Sequence, residues 1–298
     1  MCGIVGLMVR NQKLASSLGK LMLPMFNCMA ERGPDSAGLA VFHEPLKKNL
    51  RRYNLFAPSR EFDWTALARS FKKQTGSDCE IEPISNHAIL ISSITPEKMR
   101  AWLTQTESRL LLLSTGKQID IYKDMGDPKE IARRYNVAEL SGTHGVGHTR
   151  MATESAVSPA HAHPYTAGED FCLVHNGSVS NPYMLRRKLE AQGLKFETDN
   201  DTEAACRFIE WRLREGDDIN KALSTVFREV DGFYTLLIAT ADRLTLVRDA
   251  FACKPAVVAE AADYVAVASE FRSLAHLPGI QNAKIYEPLP EETYSWKL

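Results

Sequence analysis

The sequence predicts an α+β protein, with helices packed on antiparallel sheets. Three observations carry this expectation. An apolar run over residues 3–9 opens the chain, amphipathic helical patterns cluster after position 181, and the chain closes on strand-like runs, "YTLLIAT", "LTLVRD", "AVVAE" and "YVAVASE". Strands, then helices, then strands argue for helices segregated to sheet faces, because a doubly wound sheet needs strand and helix to alternate. Neither G-x-G-x-x-G nor G-x-x-x-x-G-K-[ST] occurs, so no dinucleotide or P-loop site has support.

The elements can be justified in order. After the strand at 3–9, apolar residues recur from Leu14 at Leu18, Leu21, Met22, Met25, Phe26 and Met29, one face of a helix. "ERGPDSAG" ends it, since Gly33-Pro34 favours a turn, and "LAVF" (39–42) reads as a strand. Between residues 44 and 141 the texture changes to an inserted subdomain of α/β character. It holds "HAILISSI" and "RLLLLST" as strands, "TPEKMRAWLTQT" as a helix, then "KQIDIYKD" and a short helix around "DPKEIARRYN"; its "KKNLRR" run is a solvated face. From Gly142 the core resumes. "FCLVHNG" is a strand running into a turn, and "NPYMLRRKLEAQG" is a helix capped by Asn181, with Pro182 at its first position and Gly193 at its end. "DTEAACRFIEWRLREG" and "INKALSTVFREV" are two further helices.

The bulk numbers restrict the function. At 298 residues the chain can form one large domain or two modest ones. It is 44% hydrophobic and 24% charged with a formal net charge of -1, so no basic excess points to nucleic acid or a membrane surface, and the ligand is expected to be small. No stretch approaches the ~20 apolar residues of a membrane helix. The opening run meets Arg10 with nothing basic before it, unlike a secretory signal, and Cys2 stands where myristoylation needs glycine. The six cysteines are scattered without a C-x-x-C, which argues against a zinc knuckle or disulfide framework and for a reducing, cytoplasmic location. Cys28, Cys172 and Cys206 fall in apolar patterns and are expected in the core, Cys79 and Cys253 nearer the surface.

Cys2 carries the chemical argument. Alone, it could be a small buried hydrophobe. If Met1 is removed, however, Cys2 bears a thiol and an α-amine on one carbon. That amine has an unperturbed pKa of ~8, close enough to neutrality to serve as general base to its own thiol. Gly3 is expected to leave space beside the thiol for a substrate. Four other stretches join it. "RGPDSAG" (32–38) is a turn offering Arg32, Asp35 and Ser36, of which the last two could be only turn residues. "GHTRMAT" (147–153) sets an arginine at a strand end, "HNG" (175–177) sets an amide side chain beside a glycine N–H, and "NDTE" (200–203) sets Asp201 at a helix start.

In this order the chain resembles the class II glutamine amidotransferases, glutaminase domains with the N-terminal nucleophile hydrolase fold. The strings that carry the resemblance are "CGIVG", "RGPDSAG", "GHTRMAT", "AHPY", "HNGSVSN", "NDTE", "DGFYTLLI", "VRDAFACKPAVV" and "VASE", covering residues 1–43 and about 142–275. The resemblance implies a four-layer αββα sandwich, with its core in 1–43 and 142–298 and the 44–141 subdomain inserted. It implies that Cys2 attacks the side-chain amide of glutamine, giving a thioester and ammonia. Asn176 and Gly177 would hold the oxyanion, a donor pair worth ~3 kcal/mol per donor. Arg150 would clamp the glutamine α-carboxylate and Asp201 its α-ammonium. Arg32 would help place the N-terminal residue, and Thr153 would line the glutamine pocket. The family often has an aromatic residue where Met151 stands and Asn where His161 stands; both affect pocket walls.

Five of the eight histidines fall between His144 and His175, and His161 and His163, two apart on a strand, would share a face. No carboxylate or cysteine joins them at ligand spacing, so neither a metal nor a cofactor is expected. His148 and His175 are expected as hydrogen-bonded core residues beside the site. No phosphoribosyltransferase, sugar isomerase or flavin domain accompanies the motifs, and the cysteines cannot build an iron–sulfur cluster. The expected partners are glutamine and a synthase subunit on another polypeptide. The nearest resemblance is to free-standing glutaminase subunits of glutamate-synthase-like complexes such as N-methylglutamate synthase (methylamine–glutamate N-methyltransferase). The insertion and the tail "EPLPEETYSWKL", with Tyr294 and Trp296, are candidate docking surfaces. An N-terminal-cysteine amidase acting on another amide and a non-catalytic regulatory subunit are the alternatives.

Overall fold

The computed structural model describes residues 2–47, 49–152 and 156–298. The chain opens with β1 (Gly3–Val9), α1 (Gln12–Ala15), α2 (Leu18–Cys28) and β2 (Ser36–Phe42). Next come β3 (Arg51–Phe56), α3 (Trp64–Thr75), β4 (Cys79–Ile84), β5 (His87–Ser92), α4 (Pro96–Thr106) and β6 (Leu111–Gly116). Then follow β7 (Ile119–Met125), α5 (Pro128–Arg134), β8 (His144–Arg150), β9 (Tyr165–Thr166) and β10 (Phe171–Val179). The helices α6 (Pro182–Ala191), α7 (Asp201–Arg214) and α8 (Ile219–Glu229) precede β11 (Gly232–Thr240), β12 (Arg243–Arg248), β13 (Val257–Glu260), β14 (Tyr264–Ala268), β15 (Lys284–Tyr286) and β16 (Thr293–Lys297).

Two antiparallel sheets stack between two helical layers, the αββα arrangement expected. The larger runs β15-β13-β14-β1-β8-β2-β7 and the smaller β16-β12-β11-β10-β9. Successive strand residues point to opposite faces, and both faces of the larger sheet are covered. Val5, Leu7 and Val9 therefore meet Leu18, Met22 and Phe26 of α2, while Ile4 and Met8 meet Val174, Leu237 and Leu246 of the smaller sheet. This explains why β1 reads as an unbroken apolar run. On the far side, Leu185, Phe208, Leu223 and Val226 from α6, α7 and α8 pack on Leu173, Leu236 and Ile238. The single helix expected from Leu14 to Met29 is split at Ser16 and Ser17, residues that favour helix ends. Among the described residues no helix is long and apolar enough to cross a membrane.

The segment read as an insertion divides in two. Residues 51–116 build a separate sheet, β4-β5-β3-β6, with Phe71 of α3 and Trp102 of α4 covering Tyr53, Leu55 and Leu90. β7 instead pairs with β2 along its whole length, Ser36 opposite Met125 to Phe42 opposite Ile119, and joins the larger sheet. Its two faces account for this. Ile119 and Ile121 enter the inter-sheet core and Tyr122 the helical layer, so this edge strand of the larger sheet has both faces covered. The crossing between the parts is tied by polar groups, of which Asp120 is buried. Asp170 accepts N–H bonds from Lys117, Gln118 and Ile119 at 2.8 to 3.1 Å, and Arg52 grips Asp120 with two bonds of 2.7 and 2.6 Å. Burial pushes the Asp120 carboxyl up, but hydrogen bonds from His43 and Arg52 outweigh it and hold it below the usual range.

Of the two anchors expected in the tail, Tyr294 is half-buried and Trp296 is not available. β16 pairs with β12 as an edge strand, and Trp296 is buried, its Nε1 donating to Glu260 at 3.0 Å.

Candidate active site

The site lies where the two sheets open at one end. Gly3 pairs with Thr149, which sets Cys2 beside the end of β8 and its terminal Arg150. β10, from the other sheet, brings Asn176 and Gly177, and the first turn of α7 brings Asp201. Cys2, Arg150, His163, Gly177, Asp201 and Thr202 line one cavity of about 390 Å³, within the usual size range of small-ligand sites. Cys2, Arg150, Gly177 and Asp201, named from the sequence, thus face one space. Thr153, expected in the pocket wall, lies outside the described residues.

The Cys2 backbone is held from two sides. Its carbonyl accepts from Arg32 Nε at 3.0 Å and from Asn176 Nδ2 at 3.2 Å. Arg32 Nη1 in turn meets Glu270 Oε1 at 2.6 Å. Burial raises the Glu270 carboxyl, but hydrogen bonds from Arg32 and Arg272 prevail and hold it low. Asn176 uses one of its two amide N–H bonds on this carbonyl. Gly177 has φ +146, and a Cβ there would lie 2.1 Å from the Phe233 carbonyl oxygen, so only glycine fits. Gly3 does not open onto the cavity. A Cβ there would meet Met29 Cβ and Thr149 Oγ1, both at 2.8 Å, so its bareness serves packing behind the strand.

Arg150 is buried, and its Nη1 donates to the Ala156 carbonyl at 3.0 Å. Asp35 Oδ2 accepts the Ala152 N–H at 2.8 Å and so fastens the chain just past Arg150. Asn200 caps α7 by accepting from Thr202 N at 2.8 Å. Asp201 Oδ2 accepts the Val179 N–H at 2.9 Å, which links the helix start to the end of β10. A carboxylate in the first turn of a helix is favoured by the helix dipole.

Behind these groups sit three buried histidines, two of them around one hydroxyl. His163 Nε2 and His175 Nδ1 lie 2.9 and 2.8 Å from Thr202 Oγ1. His148 Nε2 lies 2.8 Å from the His175 carbonyl, so that nitrogen carries the proton. The His148 and His163 rings stand 4.0 Å apart. Burial lowers all three, His148 to about 3 and His163 well below its ordinary value, so they are neutral supports at neutral pH. His148 and His175 fit the expected supporting part. His161 and His163 do not share a strand face, because Ala162 N bonds to Ser158 O at 3.1 Å and makes the segment a turn. His161 faces Asp199 at 2.7 Å, while His163 points inward. Among the described residues no three His, Cys, Asp or Glu side chains converge as a metal site. Sequence reasoning missed the Thr202 hub. Its position directly after Asp201, on the inward side of a capped first turn, was the available signal.

Comparison with known proteins yields consistent findings. The family described as "Glutamine amidotransferase domain" matches residues 148–276. The glutamine amidotransferase-like protein GlxB of Rhizobium meliloti (strain 1021) is 41% identical over 297 residues, 99% of this chain and 98% of that protein. A putative glutamine amidotransferase of Methanothermobacter thermautotrophicus is 33% identical over 92% of this chain and 93% of its own. Among solved structures, the glutamine phosphoribosylpyrophosphate amidotransferase from B. subtilis superposes with a TM-score of 0.62 at 16% identity. That likeness covers 99% of this chain but 49% of the enzyme's, so the chain spans about half its length and shares its fold.

Proposed function

The chain belongs to the glutamine amidotransferase family, and on that premise we propose that it hydrolyses glutamine through a Cys2 thioester and passes the ammonia to a separate synthase subunit. The observation that carries this reading is that one cavity presents a thiol, an arginine, a carboxylate and a glycine backbone, Cys2, Arg150, Asp201 and Gly177. A free amino acid head group needs a cation and an anion side by side, and an amide carbon under attack needs a nucleophile and oxyanion donors.

Once Met1 is removed, the Cys2 α-amine takes the thiol proton, directly or through one water. The thiolate then attacks the glutamine Cδ. The carbonyl π pair moves to oxygen, and the oxyanion is held by Asn176 Nδ2–H and the Gly177 N–H. The α-ammonium returns its proton to the departing nitrogen, and the C–N bond breaks to release ammonia and leave a thioester. Water, deprotonated by the same amine, cleaves the thioester to glutamate and restores the thiol. Arg32, with Glu270 behind it, keeps the Cys2 carbonyl fixed while its side chain changes partners.

The acceptor is a subunit of the glutamate-synthase-like kind, such as that of N-methylglutamate synthase. The match to the glutamine amidotransferase-like protein GlxB over nearly the whole chain supports the glutaminase part of this reading. The test compares glutamine with N-acetylglutamine and with glutamine methyl ester. Loss of either head-group charge should lower kcat/KM by about 30- to 160-fold, the worth of one charge-assisted contact of ~2–3 kcal/mol. Equal hydrolysis of all three would contradict the reading.

A further inference from the structure

Lys123 is a charged side chain in a place that has little use for charge. It follows Ile119 and Ile121 on the inward face of β7, is 5% exposed, and forms no ion pair with a described carboxylate. Its Nζ instead donates to three carbonyls, Ala162 at 2.7 Å, Pro164 at 3.2 Å and Ala160 at 3.4 Å. The Tyr165 ring lies 5.1 Å away. Burial lowers the ammonium to about 8, partly offset by Glu197 and Glu203. Burying an ion without a counter-ion is costly, and a methionine continuing the apolar face would avoid that cost. What the lysine does is satisfy carbonyls of a turn whose inward oxygens lack strand partners.

That turn is seated in a groove across the larger sheet. Lys123 pairs with Gly38, and Gly38 with His148, so the three stand in one row. A Cβ on Gly38 would lie 2.4 Å from the His163 carbonyl oxygen. The bare glycine thus lets the backbone at His163 drop between the ammonium on one side and the His148 ring on the other. His163 then reaches Thr202, whose hydroxyl lies 3.3 Å from Asp201 Oδ1.

We propose that Lys123 is a positioning residue for the amino-acid head group: it fixes the 160–164 turn, and through His163 and Thr202 it sets the Asp201 carboxylate. This deepens the glutaminase reading and rests on it. Lys123 touches no substrate, so its removal should act on binding and spare the chemical step.

The experiment compares wild type with Lys123→Met, which keeps the volume, and Lys123→Gln, which keeps a neutral donor. Steady-state glutamine hydrolysis and amide hydrogen exchange at Ala160–His163 and Thr202 are both read. For Lys123→Met, KM should rise about tenfold with kcat within about twofold, and Lys123→Gln should fall between it and wild type. Exchange at both segments should quicken in the same order. A KM that stays at the wild-type value in Lys123→Met would overturn the proposal, whether or not thermal stability drops. If the wild-type protein hydrolyses no glutamine, the functional reading fails separately and exchange alone decides. Faster exchange at both segments then supports the coupling from Lys123 to Thr202, and unchanged exchange at either overturns it.

Discussion

The separate sheet of residues 51–116 and the cleft between the two larger sheets bury different chemistry. Inside 51–116 the core is Tyr53, Leu55, Trp64, Phe71, Met99 and Trp102, apolar side chains against one sheet and two helices. At the mouth of the two large sheets the buried set is Lys123, His148, Arg150, His163, His175 and Thr202. Polar groups are expensive to bury unless bonded, and charged ones more so; the 51–116 unit also buries polar side chains, Asn54, Asn86, His87 and Ser92 among them, but no Lys, Arg, Asp or Glu. The difference locates the part of the chain built for chemistry and the part built for packing. Substitutions should therefore separate activity from stability along this division.

The largest effect belongs to the cleft. Cys2→Ala should lower glutamate release by at least about 10³-fold while leaving the thermal midpoint near the wild-type value. The next largest belongs to the subdomain, where Phe71 is fully buried. Phe71→Ala should cost about 3–5 kcal/mol in denaturant unfolding and leave the KM for glutamine unchanged in the protein that remains folded. A change in KM there would break the comparison, because it would couple the subdomain core to the site.

Smaller effects sharpen it. Asp201→Asn keeps the shape of the helix start and removes a charge, so KM should rise about tenfold or more, read from the concentration dependence of hydrolysis. Two buried histidines, His148 behind the cleft and His144 at the other end of β8, give the fold a pH signature. Burial lowers His148 to about 3 and His144 to about 4, below the 6.5 of an unperturbed histidine. Below pH 6.5 the unfolded chain binds protons that the folded chain refuses, so their contribution to stability is complete above 6.5 and is lost as pH falls toward 4 and 3. Urea unfolding at pH 5 against pH 7 should show a loss of about 1–2 kcal/mol for each such histidine. Replacing His148 by Gln should remove its share of that slope.

Much of this architecture was legible locally. Strand β1 announced itself by an unbroken apolar run, α6 by Asn181, Pro182 and Gly193, and the positions of Cys2, Arg150, Gly177 and Asp201 by short strings whose order could be read. What was not legible depends on pairing between distant segments. "KQIDIYKD" is a strand on its own evidence, but its place beside β2 is decided by residues more than 70 positions away. The same holds for Gly3, whose neighbours Met29 and Thr149 come from two other elements, and for Trp296, buried only because β16 finds the edge at β12. The strand expected at His161 and His163 failed for a local reason, a turn closed by Ser158. Lys123 carried one usable signal, a lysine continuing an Ile-x-Ile alternation, which is an inward charge if the strand is buried.

The central claim is that Cys2 is the nucleophile of a glutaminase, and the intact mass of the purified protein before and after 6-diazo-5-oxonorleucine tests it most directly. The account expects loss of the methionine mass, one adduct per chain, its peptide mapped to Cys2, and protection by excess glutamine. A retained Met1 with no adduct, or an adduct on Cys253, the exposed thiol, would contradict it.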